Sequence, residues 1–196
     1  MSAQDIGALA LLSLRDPAEA ARYLIGLRLP MAVRWMGLAL VAILAILFIC
    51  VTAALLPSED LTALGKAMQT PLPGLAIQGG SILLIAALMA LVGRLFGGQG
   101  GFADALLLMV WMEFLTLPLT LLQLVLLFSI PFATVPVALV SLALFIRIFL
   151  VFTATLHGFS RLWAVAAVSV ATLVALSMTL AVLMVALGYN PTMGTV

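Results

Sequence analysis

Five stretches of this chain, residues 33–56, 72–96, 102–128, 132–157 and 162–187, are almost entirely apolar. Each exceeds the roughly 20 residues that an α-helix needs to cross the hydrocarbon of a bilayer. A run of that length has only one stable way to cross lipid as a single segment. Every backbone N–H and C=O must be paired within it, and only the helix does that. The sequence therefore predicts an all-α membrane protein, a five-transmembrane-helix bundle. Composition agrees: 66% of the 196 residues are hydrophobic and 8% charged, against about 25% charged in a soluble domain. There is too little polar side-chain surface to cover a water-soluble globule.

Residues 1–30 read as a juxtamembrane amphipathic region, and residues 31–196 as the transmembrane domain. Asp16-Pro17-Ala18-Glu19 has the form of a helix start, with Asp as N-cap, Pro at the first helical position and Glu three residues after the cap. Leu29-Pro30 ends that helix. Tyr23, Leu24 and Leu27 share one side, while Arg15, Arg22 and Arg28 supply charge. Two placements fit: a helix lying among lipid headgroups, or one packed on the bundle's cytoplasmic side. No cleavable leader is expected, because the first apolar stretch follows Asp5 rather than a basic segment.

Basic residues near the span ends set the expected orientation. Arg15, Arg22, Arg28, Arg34, Arg94 and Arg161 fall on one side, and Lys66 on the other. The positive-inside rule then places the N-terminus in the cytoplasm and the C-terminus outside. Arg34 with Trp35 reads as an interfacial anchor pair. Net charge is +1, which gives no electrostatic footing for nucleic acid. The lone Cys50 cannot form an intramolecular disulfide and reads as a small apolar filler.

The strongest polar signal lies in residues 103–157, where Glu113 and Arg147 sit inside two successive apolar segments joined at Ser129-Ile130-Pro131-Phe132. Both are 17 residues from Ile130, so an antiparallel hairpin places them at one depth, about 25 Å from the turn. They are expected to neutralise each other. Glu113, Thr116, Thr120 and Gln123 also fall within about 80° of arc on one helix. This stripe reads either as an inter-helix seam or as a polar path, with Pro118 as a candidate break. Gln78 and Ser81 are expected near the depth of Gln123. Ala167, Ala171 and Ala175 give a small-residue face for helix packing.

Other motifs carry little chemistry. The run Gly97-Gly98-Gln99-Gly100-Gly101 has no Gly-Lys-Ser/Thr after it and no strand before it, so it reads as a flexible turn rather than a phosphate loop. His157 is the only histidine and is expected to make a helix-end or interfacial hydrogen bond. No nucleophile–base arrangement or paired carboxylates for acid–base work are evident, and Glu59-Asp60 read as a solvated turn. Neither catalysis nor a cofactor or metal site is expected.

The chain resembles the Yip1 family of small polytopic membrane proteins, in its short bacterial form. The resemblance is carried by Gly97-Gly98-Gln99-Gly100-Gly101-Phe102-Ala103-Asp104-Ala105 leading to Trp111, and by Leu156-His157-Gly158-Phe159-Ser160-Arg161-Leu162-Trp163. Arg15-Asp16-Pro17 and Leu27-Arg28-Leu29-Pro30 precede them. The resemblance implies a five-helix domain with a cytoplasmic N-terminus. Eukaryotic relatives associate with Rab-type GTPases and with one another in vesicle traffic. This chain lacks their long hydrophilic N-terminal region and their Asp-Leu-Tyr-Gly-Pro motif. The expected function is a non-enzymatic scaffold or interaction protein in membrane organisation or trafficking. Its partners are the lipid bilayer and other membrane proteins or a second copy of itself, and its place is the bacterial inner membrane. The alternative is a lipid or small-solute translocator that uses the polar stripe.

Overall fold

The computed structural model describes residues 3–55 and 63–186, and all regular structure in them is helical. The elements are α1 (Ala3–Arg15), α2 (Pro17–Gly26), α3 (Met31–Leu55), α4 (Ala63–Met68), α5 (Pro71–Leu95), α6 (Phe102–Ser129), α7 (Pro131–His157) and α8 (Leu162–Ala186). Five of these, α3, α5, α6, α7 and α8, are long and apolar enough to cross a membrane. The chain divides into two compact units, residues 1–159 and residues 160–196. The second unit consists, among its described residues, of α8. The expected turn at Glu59-Asp60, the end of the first span and the C-terminal tail lie outside the described residues.

In the first unit, α3 and α6 run the same way and α5 runs against both. The near end of α3 is tied to the near end of α6 by Arg34 and Asp104. Toward its far end, the Cys50 thiol donates to the Gln69 carbonyl just ahead of α5, at 3.3 Å. Further along α5, Gln78 meets Glu113 of α6. α6 and α7 form the antiparallel hairpin that the sequence calls for, turning at Ile130. Pro118 does not break α6, which continues from Phe102 to Ser129.

The tightly packed region occupies one half of this unit. In α6 the buried residues all lie between Ala105 and Met112. In α7 they lie between Ile148 and His157. Past those points the side chains turn outward, with Leu121, Val125, Phe128 and Leu139 exposed. In a chain this apolar, exposed means facing lipid.

The N-terminal segment settles into the packed half. Asp16 caps α2 by accepting from the Glu19 N–H at 2.9 Å, with Pro17 at the first helical position. Pro17, Ala20, Ala21 and Leu24 form its buried face. The two alanines have no exposed surface, and their small size lets α2 pack against α6 and α7. The segment packs on the bundle through this face.

Candidate functional site

The expected Glu113–Arg147 pair does not form. Arg147 instead reaches the C-terminal end of α1, donating from Nη1 to the Leu14 carbonyl at 2.8 Å and from Nη2 to the Arg15 carbonyl at 3.3 Å. Those carbonyls belong to the last turn of a helix, where the backbone has no partner of its own and carries partial negative charge. The Glu113 carboxylate accepts a long hydrogen bond from the Gln78 amide, at 3.5 Å.

Azimuth is the reason the pairing fails. Trp111 donates its indole N–H to Ser13 Oγ at 2.9 Å, so the Trp111 side of α6 faces the α1 corner. Arg147 is drawn to the same corner. Glu113 comes two residues after Trp111, about 200° further around the helix, and therefore faces α5. The two residues stand equally far along α6 and α7 from the turn at Ile130, but the two charges point at different neighbours.

The rest of the stripe is divided as well. The Thr116 hydroxyl donates to the Glu113 carbonyl and Thr120 to the Thr116 carbonyl, both within α6. Gln123 reaches across to Ser141 of α7 at 3.3 Å. Gln78 therefore serves Glu113 rather than a partner at the depth of Gln123, and Ser81 bonds back to the Gln78 carbonyl. Ala167, Ala171 and Ala175 occupy exposed positions along α8.

Three ties at the packed end were not anticipated as sites. The first joins Arg34 to Asp104 at 2.8 Å, with Arg34 Nε also donating to the Leu29 carbonyl at 2.9 Å. Arg34 is 6% exposed, so it is a buried link between helices rather than an interfacial anchor. A signal was present: each residue falls in the first turn of an apolar helix starting from the same side.

The second tie is His157. Its Nδ1 accepts from the Gly100 N–H at 3.2 Å, which leaves the proton on Nε2, and Nε2 donates to the Met89 carbonyl at 2.9 Å. The ring is only 3% exposed. It fits because Gly93, Gly98 and Gly100 have no side chains, and a Cβ on any of them would overlap the imidazole. Gly97 takes a φ of +84°, and the Gly98 N–H returns to the Gly93 carbonyl at 2.9 Å. Arg94 Nε donates to the Gly100 carbonyl at 2.9 Å. The glycine run, expected as a flexible turn, is a fitted cradle for the end of α7.

The third tie is Ser13 itself, held between the Leu9 carbonyl and Trp111. Among the described residues, no three His, Cys, Asp or Glu side chains gather as metal ligands do. The arrangement joins helices through polar contacts at one end and leaves broad apolar faces elsewhere. That defines a multi-pass α-helical membrane protein.

The sequence comparison makes the class specific. The model of the Yip1 domain matches residues 11–184, and the chain belongs to the Yip1 family. No curated protein and no solved structure matches it.

Proposed function

We propose that this protein is a non-enzymatic membrane scaffold, holding other membrane proteins or further copies of itself by lateral helix contact in the bacterial inner membrane. One observation carries the reading. Arg34, Asp104, His157, Trp111 and Arg147 are all engaged in joining helices or the N-terminal segment, while the faces of α3, α5 and α7 that point outward are apolar. Helices associate in lipid through packing of such faces. The N-terminus is assigned to the cytoplasm on the distribution of arginines, so the packed half is assigned to the cytoplasmic side of the membrane.

Affinity purification from native membranes tests this. A stable co-purifying membrane protein or a homo-oligomer in mild detergent is the expected result. A strictly monomeric protein without partners, in detergent and in native membranes alike, removes the proposal.

A second reading, lipid or solute translocation, is favoured by one observation: Glu113 sits half-buried within the bilayer on a single long hydrogen bond. Intramembrane carboxylates mark transport paths in other proteins. Flux or lipid scrambling in reconstituted vesicles, lost in Glu113→Gln, is what this reading requires.

A further inference from the structure

The corner between α1 and α2 lies deeper than the bilayer surface, yet the outer side of α2 is charged. Depth follows from the register. Trp111, which holds Ser13, is seven residues past Asp104 along α6, about 10 Å further into the bundle. The level of Arg34 and Asp104 is itself within reach of lipid chains. Because Gln78 meets Glu113 and α5 runs against α6, Leu91, Leu95 and Phe96 lie beyond the Asp104 level, and they are 61%, 82% and 62% exposed. At the level of Trp111, Leu40 on α3 is exposed as well, facing what must be hydrocarbon.

Around the corner the surface is different. Arg15, Asp16, Glu19 and Arg22 are all exposed. At 100° per residue Glu19 and Arg22 fall on the side of α2 opposite its buried Pro17–Ala20–Ala21–Leu24 face, and Arg15 and Asp16 stand at the α1–α2 junction just before it. Two cations and two anions grouped at the α1–α2 junction and along the outer face of α2 are costly against acyl chains. They match a layer of phospholipid headgroups, which also carries both signs.

We infer that the bilayer is notched at this place: phospholipid headgroups and their water follow the charged face of α2 inward to the α1–α2 corner, thinning one leaflet beside α6 and α7. Arg147 fixes the depth of the notch, because it holds the corner by the Leu14 and Arg15 carbonyls. The inference stands on the placement of α2 and is independent of whether the protein acts as a scaffold or a translocator.

Site-directed thiol labelling tests it in the full-length chain with Cys50 replaced by Ala. Glu19→Cys and Arg15→Cys probe the notch, and Leu40→Cys and Leu84→Cys probe the lipid-facing surface at similar depth. Each variant is reconstituted in vesicles of phosphatidylethanolamine and phosphatidylglycerol. A membrane-impermeant maleimide is applied to both faces, and a fluorophore on each thiol is exposed to lipids brominated in the acyl chain. The notch thiols are expected to label at least about tenfold faster than the lipid-facing ones, since a thiol in hydrocarbon forms little reactive thiolate. Quenching by brominated chains should show the reverse order.

Slow labelling at both 15 and 19 overturns the inference. So does labelling of Leu40→Cys at the rate of Glu19→Cys, which would put the whole level outside hydrocarbon. Protection of the notch thiols in native membranes, but not in vesicles, would mean that a protein covers the face, and it overturns the inference equally. Elution of each variant at the wild-type position on size exclusion identifies those that are folded.

Discussion

Two double-mutant cycles, run side by side, separate the contacts that this structure makes from those that equal depth alone would allow. The first removes Arg34 and Asp104. Asp104→Ala leaves a guanidinium that is 6% exposed with only the Leu29 carbonyl as partner. Breaking a fully buried pair from one side costs about 3–5 kcal/mol. Asp104 is 32% exposed, so water compensates part of the loss, and about 2–3 kcal/mol is expected. Arg34→Met with Asp104→Ala should restore all but about 1 kcal/mol, because no unpaired charge remains. Arg34→Met alone should cost about 0.5 kcal/mol, because water reaches the carboxylate left behind; the coupling energy is then about 1.5–2.5 kcal/mol in magnitude, within the range for residues in contact. The second cycle takes Glu113→Leu and Arg147→Leu. These side chains bond to α5 and α1 respectively, so their effects should add to within about 0.5 kcal/mol. Equilibrium unfolding of the purified protein in mixed micelles measures both cycles. Additivity at Arg34–Asp104, or coupling above about 1 kcal/mol at Glu113–Arg147, would refute the assignment of partners.

Other substitutions test the remaining ties. Gly93→Ala and Gly98→Ala should each destabilise by about 1–3 kcal/mol through overlap with the His157 ring, whereas Gly79→Ala and Gly80→Ala, with no atom near the added Cβ, should be neutral or gain up to about 1 kcal/mol; thermal unfolding in detergent ranks the four. Trp111→Phe keeps the ring against Phe114 but loses the bond to Ser13, and about 0.5–1.5 kcal/mol of stability with it; limited proteolysis should show faster cleavage within residues 3–26 and unchanged cleavage elsewhere. Asp16→Ala removes the α2 cap at a cost of about 1 kcal/mol, and the same proteolysis assay should register it.

The α-helical class and the five apolar spans were legible in the sequence because each span must satisfy its own backbone in lipid, whatever its neighbours do. The start of α2 was legible for a similar reason: Asp16, Pro17 and Glu19 interact within one turn. That Glu113 and Arg147 stand equally far along two helices from their common turn could be read by counting residues. Their partners could not. Rotation of a helix about its axis depends on every surface it packs against, and spans apolar on all sides give little periodicity to fix it. The lack of contrast hid Arg34–Asp104 too, although both charges stand in first turns on one side.

What the sequence settled alone, then, is the solvent, the five apolar spans and the start of α2, since these follow from composition and local backbone chemistry; the helices α1 and α4 were not read from it. Tertiary structure decided which polar groups meet. It turned Arg147 toward the carbonyls of α1, closed the glycine run around His157 and drew the N-terminal helices into the packed half. Each of those contacts joins residues from 57 to 133 positions apart. Direction around a helix is a property of the whole packed assembly, and it is carried by no short stretch of the chain.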